Sequence, residues 1–238
     1  KYRVIPVFKH DNALTVALRA ALADTFAALE ADAEIRVAIL TGAGRAFCAG
    51  LDLKELASGA AQVGAPRVPA DDPAAALAQF SGPVIGAING VAITGGFELA
   101  LGCDFMIGSS AARFADTHAR VAVHPAWGLS QRLQRIIGLP RAKELSLTGN
   151  FLDAETAERW GLLNRVVDGS ELLPTCLQLA KDMLSVDAGM LKSYKRLMDD
   201  GSTLSFGEAM ALEARVAVDF NAGLDPSAVA PRWAGVVM

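Results

Sequence analysis

From Pro73 to Phe97 the chain carries no charged residue, and this passage constrains the fold more than any other. A run of that length imitates a membrane span, yet it holds Gln79, Pro83, Asn89 and the glycines Gly82, Gly86, Gly90, Gly95 and Gly96. A spanning helix needs about twenty mainly apolar residues in sequence, whereas strands buried on both faces of a sheet read as short, continuous apolar runs. The passage is therefore read as a buried strand, a turn and the start of a helix, with no membrane span.

The same punctuation recurs. Pro83 to Ile88 (PVIGAI) closes on Asn89-Gly90, Arg36 to Thr41 (RVAILT) closes on Gly42-Ala43-Gly44, and Phe105 to Gly108 is a third candidate strand. Between Leu14 and Asp32, residues Leu18, Leu22, Phe26 and Leu29 fall at helical spacing and predict an amphipathic helix. Strands alternating with helices imply an α/β fold with a sheet covered on its faces. Residues 57–76 have no period and read as a surface loop, whereas 172–184, 188–199 and 204–219 each read as a helix. The tail from Pro226 to Met238 is assigned no structure, and no internal repeat is visible.

The 238 residues, 52% of them hydrophobic, suffice for one sizeable core with a smaller appendage. A net charge of −4 offers no basic face for a phosphate backbone, so nucleic acid is not an expected partner. An anionic small molecule stays open, because a helix N-terminus and a few lysines bind phosphate within an acidic protein. Cys48, Cys103 and Cys176 fit neither a disulfide framework nor a CxxC metal site, which implies a reducing, cytoplasmic compartment and no metal.

Two glycine-containing stretches each follow a buried strand: Arg45 to Leu53 (RAFCAGLDL) and Asn89 to Leu99 (NGVAITGGFEL). A backbone N–H approaches a ligand oxygen closely only where no side chain intervenes, and glycine permits this. Two such N–H groups aimed at one point make an oxyanion hole. Thr94 is expected to cap a helix from Gly95 to about Gly102, leaving the Gly95 N–H at the positive end of the dipole. On glycine spacing alone, tight turns explain both stretches at least as well. Neither matches the dinucleotide or phosphate-loop glycine pattern. A serine hydrolase is disfavoured, since no GxSxG elbow occurs and Ser130 sits in GLSQR.

At this point the chain resembles the enoyl-CoA hydratase/isomerase (crotonase) family. AFCAGLDL is similar to its first oxyanion segment and NGVAITGGFELALGCD to its second. Asn12-Ala13-Leu14, Phe114-Ala115 and Gln131-Arg132-Leu133 match in order, so the resemblance spans roughly residues 9–220. It implies an α/β fold, a crotonase-like spiral of ββα repeats, with an acyl-CoA-binding core over 1–183 and a C-terminal helical oligomerisation region over 184–238. It also implies an acyl-CoA thioester as ligand, with coenzyme A part of the substrate and no separate cofactor. Self-association as a homotrimer or a dimer of trimers follows from it too.

By position in the resemblance, Leu51 and Gly95 supply the two N–H groups, and Glu98 is the first of two catalytic glutamates that hold a water. A capping or surface carboxylate is the alternative reading of Glu98. Aligning Phe114 and Pro125 places His118 where the second glutamate is expected. A neutral His118, oriented by Asp116, would exchange a proton near neutral pH, or it would merely line the site. Ala13, Ala49, Asp52, Leu53 and Trp127 are candidate substrate contacts, and His124 a candidate for the acyl pocket. Lys9 and Lys54 are candidates for the coenzyme A phosphates or pantetheine, His10 is read as solvated, and Cys48 and Cys103 as buried small residues. Two functions remain: a lyase adding water to a trans-2-enoyl-CoA, and a thioester-binding protein with little turnover. Other enolate chemistry, such as decarboxylation or thioester hydrolysis, would use the same hole.

Overall fold

The structure, a computed structural model, describes residues 1–7, 12–59, 72–224 and 227. It divides into two compact units, residues 1–188 and 189–238. The first is built on β1 (Tyr2–Val7), α1 (Val16–Ala31), β2 (Val37–Gly42), β3 (Ala46–Cys48), α2 (Leu53–Ser58), α3 (Pro73–Gln79), β4 (Val84–Ile88), β5 (Val91–Ile93) and α4 (Gly95–Gly102). It continues with β6 (Phe105–Ser109), β7 (Arg113–Ala115), α5 (Leu129–Ile137), α6 (Leu139–Thr148), β8 (Phe151–Asp153), α7 (Ala154–Arg159), β9 (Arg165–Val167) and α8 (Leu172–Ser185). Helices α9 (Ala188–Gly201) and α10 (Phe206–Asn221) make up the described part of the second unit.

The strands form two sheets. One has the order β1-β2-β4-β6-β9, parallel throughout; the other has the order β3-β5-β7-β8, parallel except for β7 with β8. Consecutive strands divide between them: β2 and β3, β4 and β5, and β6 and β7 each place the longer strand in the first sheet and a three-residue strand in the second. A helix follows β3 and β5, and a 3-10 turn at Ala119–Val121 follows β7. This is the ββα repeat that the resemblance implies.

Burial explains the elements. Every residue of β4 is buried, as are Val37 to Leu40 of β2, matching strands covered on both faces. Helix α1 buries Leu22, Phe26 and Leu29 along one stripe, and Thr15 caps it by accepting from the Leu18 N–H at 3.1 Å. Residues 95–101 of α4 are all buried, so this helix is apolar all round and runs through the interior. Phe97 on α4 packs on Phe114 of β7 with ring centroids 5.0 Å apart. In the second unit, α10 begins with a reciprocal Ser205–Glu208 capping box, and neither α9 nor α10 has a buried residue. Among the described residues no helix is long and apolar enough to cross a membrane.

Candidate active site

The order β3-β5-β7 lines up the C-terminal ends of three parallel strands, the side on which ligands of parallel sheets bind. The chain leaves those ends as the 49–52 segment, the start of α4 and the 116–118 segment. Most of the sequence-expected residues are thereby brought to one edge.

Leu51 forms a one-residue parallel bridge with Leu14: the Leu14 N–H donates to Gly50 O at 2.7 Å and the Asp52 N–H to Leu14 O at 3.5 Å. In that pattern the bridged residue turns its own N–H away from the partner strand. Gly50 has φ +85°, and a Cβ on it would lie 2.8 Å from Ile93 O and 3.5 Å from Gly95 N. Only glycine allows this approach. Leu51 N is three bonds from that Cβ position, which holds the two nitrogens within about 7 Å of each other. A Cβ on Gly96 would sit 2.1 Å from Cys48 O, so the helix start is pressed against the end of β3.

Thr94 does not cap α4 with its side chain. Its backbone is at φ 52° and ψ −112°, and its hydroxyl pairs with that of Thr117 at 2.5 Å. The physical reason is the turn out of β5, where the Thr94 N–H is committed to Ala115 O at 2.9 Å and the side chain is directed to the 116–118 segment. The Thr94 carbonyl accepts from the Glu98 N–H at 2.9 Å, but its hydroxyl covers no N–H of the first turn of α4, of which Gly95 is the first.

Glu98 lies one turn into α4 and is 3% exposed. Its Oε1 accepts from the N–H groups of Ala126 at 3.1 Å, Trp127 at 2.6 Å and Leu129 at 3.4 Å. Its Oε2 faces His118 Nε2 at 3.6 Å. On the other side of the imidazole, His118 Nδ1 is 2.7 Å from Asp116 Oδ1, which also accepts the His118 backbone N–H at 3.1 Å. Burial alone would pull His118 down, but its hydrogen bond to Asp116 and the nearby acidic groups of Glu98 and Asp116 outweigh that and hold it at about 9. Burial likewise pushes the Asp116 carboxyl up, but hydrogen bonds from His118 and Ser146 leave it below the usual carboxylate range. At neutral pH His118 is thus an imidazolium flanked by two acids, which corrects the neutral imidazole expected from sequence.

The other candidates are placed unevenly. The Trp127 ring edge lies 3.2 Å from where a Cβ on Gly95 would be, so its indole borders the start of α4. Asp52 caps α2, accepting from the Lys54 and Glu55 N–H groups at 2.8 and 3.1 Å, and Leu53 is the first residue of that helix. Ala49 is half-buried after β3, whereas Lys54 and His124 are exposed. Ala13 and Asp52 border a cavity of about 500 Å³ between β1 and α1, which Glu98 and His118 do not line. Lys9 and His10 lie outside the described residues, as does most of the loop expected over 57–76. Burial holds the Cys48 thiol up at about 12 and raises Cys103 as well, so neither suits a nucleophile at neutral pH.

Two residues escaped the sequence reading as parts of the site. Asn12, at φ 59° and 1% exposed, donates to the carbonyls of Ala43, Ala46 and Phe47. Asn89 accepts from the Gly42 N–H and donates to the carbonyls of Gly44 and Ala46. Together they brace the loop that leads to Leu51. The signal was the Asn-Gly turn at 89–90, which was read for its turn geometry and not for its amide.

Comparison with known proteins identifies the family and the fold. The family model described as enoyl-CoA hydratase/isomerase matches residues 7–227. A probable peroxisomal enoyl-CoA hydratase 1 from Arabidopsis thaliana is 41% identical over 216 residues, covering 91% of this chain and 81% of that protein. A crystal structure of an enoyl-CoA hydratase from Mycobacterium tuberculosis is 42% identical with a TM-score of 0.72, covering 92% of this chain and 95% of the other. Another, of enoyl-CoA hydratase subunit I from Geobacillus kaustophilus, is 32% identical with a TM-score of 0.83, covering 92% and 86%.

Proposed function

The chain belongs to the enoyl-CoA hydratase/isomerase family, and from that premise we propose that it adds water to a trans-2-enoyl-CoA. The observation that carries this reading is the buried pair Glu98 Oε2 and His118 Nε2, 3.6 Å apart beside a helix start with no side-chain cap. That gap is long for a direct hydrogen bond, but one water placed beside it reaches both atoms at ordinary length. The thioester oxygen accepts from the Leu51 and Gly95 N–H groups, and each such donor typically contributes 10²–10³ in rate, roughly 2.7–4 kcal/mol. Glu98 is the base that takes a proton from the water, and His118 replaces the second carboxyl of the family pattern.

In this reading Ala13, Ala49 and Asp52 border the thioester and pantetheine and Trp127 borders the acyl chain, with Leu53, Lys54 and Lys9 the remaining candidates for coenzyme A contacts. The exposed apolar residues of α9 and α10, among them Tyr194, Met198, Phe206 and Val218, support burial against other copies in a trimer or a dimer of trimers. Three buried free thiols suit a reducing compartment, which we take to be the cytoplasm. The location named for the Arabidopsis relative is the competing placement, and cell fractionation decides between them.

One observation favours a second reading, a thioester binder with little turnover. Both Glu98 oxygens already have partners, as they would in a purely structural ion network. The test is hydration of crotonyl-CoA, followed by loss of the enoyl absorbance. Glu98→Gln should lower kcat by about 10²–10⁴ while ligand binding persists. Clear acyl-CoA binding with no hydration by the unaltered protein would reject the hydratase and favour the binder.

A further inference from the structure

We infer that Asp116 is a positioning residue that fixes His118 as the proton donor of the site, so that only Glu98 is left to act as base. The inference rests on the hydratase reading and adds a division of labour to it. Asp116 Oδ1 takes both the ring Nδ1 and the backbone N–H of His118, at 2.7 and 3.1 Å, which sets the ring's rotation and its displacement together. With Nδ1–H committed there, Nε2 is the ring atom left to face the substrate side, and it points at Glu98 Oε2. Glu98 Oε1 is held by the 126–129 backbone, so Oε2 is the oxygen that exchanges protons.

The charged groups that face His118 among the described residues are Glu98 from α4 and Asp116 from the end of β7; Ser146, on α6, reaches Asp116 and is uncharged. All three ionisable side chains are buried, at 3%, 3% and 6% exposure for Glu98, Asp116 and His118. Two acids around one imidazole keep it protonated, as its rise to about 9 reflects.

The proton count then closes. The water oxygen bonds to Cβ of the enoyl thioester while its proton passes to Glu98 Oε2, and the double-bond electrons move into an enolate at the thioester oxygen. The enolate collapses as Cα takes the proton from His118 Nε2. This leaves Glu98 protonated and His118 neutral, and one proton crossing the 3.6 Å gap restores both. Asp116 touches no reacting atom in these steps.

The test couples an NMR titration of the free enzyme to the pH profile of kcat/KM for crotonyl-CoA, with the His118 ring signal identified by its loss in His118→Gln. Unaltered protein should titrate at about 9. Asp116→Asn should lower the midpoint by more than about one unit, and the high-pH limb of kcat/KM should move down with it by the same amount, KM changing less than about threefold. Asp116→Ser, which also removes the carboxylate, should shift both in the same direction, and it keeps the test decisive if Asp116→Asn does not fold. A midpoint that stays put in the folded variants, or a loss of kcat with the limb unmoved, would overturn the positioning role. Absence of hydration in the unaltered protein would sink the hydratase reading instead, and the titration would still decide the role of Asp116.

Discussion

Gly50 is the residue on which the convergence of the two backbone donors depends, and replacing it with alanine separates their geometry from the side-chain chemistry. A non-glycine residue at its φ of +85° sits in the left-handed region, a strain of about 1–2 kcal/mol. The new Cβ would also lie 2.8 Å from the Ile93 carbonyl oxygen, which is backbone and cannot rotate away. Forcing that contact apart costs about 1–3 kcal/mol by analogy with an overpacked core. The total of roughly 2–5 kcal/mol corresponds to a fall in Tm of roughly 4–20 °C for a chain of this size. The shift needed to relieve the contact moves Leu51 away from Gly95, so one oxyanion donor is lost and kcat/KM for crotonyl-CoA should fall about 10²–10³. Gly59 is the control: its φ is +74°, but among the described residues a Cβ there meets nothing within 4 Å. Gly59→Ala should therefore show only the left-handed strain, with Tm down by roughly 2–8 °C and kcat/KM within about threefold of the unaltered protein. Calorimetry and steady-state kinetics at 25 °C make the comparison. Gly50→Ala losing no more Tm than Gly59→Ala, with kcat/KM retained, would refute the argument that the two segments are held in contact for their N–H groups.

His118 also links stability to pH. Its ordinary value is 6.5 and its folded value about 9, so the stabilisation is fully present below 6.5 and is lost as pH rises through 9. The amount is on the order of 3 kcal/mol. Urea unfolding at pH 6 and pH 9.5 should show the unaltered protein losing more stability than His118→Gln by about that much; parallel losses would contradict it. On α10, Phe206 is 83% exposed in the single chain, and Phe206→Glu should shift light-scattering mass toward the monomer if this face is covered in an oligomer.

What the sequence revealed, and what it hid, follows from element length. β2 and β4 were legible because apolar runs of this kind, stopped by Asn-Gly or Gly-Ala-Gly, have few other readings. β3, β5 and β7 are three residues each and too short to show any alternation, so the second sheet was invisible, although it carries the site. Helices α3, α6 and α7 were missed for related reasons: α3 falls in an alanine-rich stretch with no polar face, and α6 and α7 span only ten and six residues. Glu98 and His118 stood out only through the resemblance, because nothing in either residue's local sequence says that a loop twenty-eight residues on will wrap the Glu98 carboxylate. Thr94 misled because a threonine before two glycines reads as a cap, and only the tertiary contact with Thr117 shows where its hydroxyl goes.

The carboxylate pair implied by the family pattern suggests that His118→Glu would maintain or raise turnover. The surroundings of His118 argue the reverse. The site as built sets a protonated imidazole between two carboxyl groups. Placing a glutamate at 118 puts a third carboxyl beside Glu98 and Asp116 with no cation between them. Two like charges about 4 Å apart repel by about 4 kcal/mol at an effective dielectric of 20, so the added group and Asp116 cannot both stay ionised cheaply. The shared proton is then drawn to that contact and away from the substrate side. His118→Glu alone should therefore hydrate crotonyl-CoA at least about tenfold more slowly than the unaltered protein. Adding Asp116→Asn removes the third charge and supplies an amide donor, so the double variant should be faster than His118→Glu alone, even though Asp116→Asn on the unaltered background lowers the rate on the high-pH limb. Such a reversal of sign is a coupling that a double-mutant cycle on kcat measures directly. A His118→Glu protein at or above the unaltered rate would show that Asp116 exerts no such control, and that the histidine is an incidental replacement for the carboxylate.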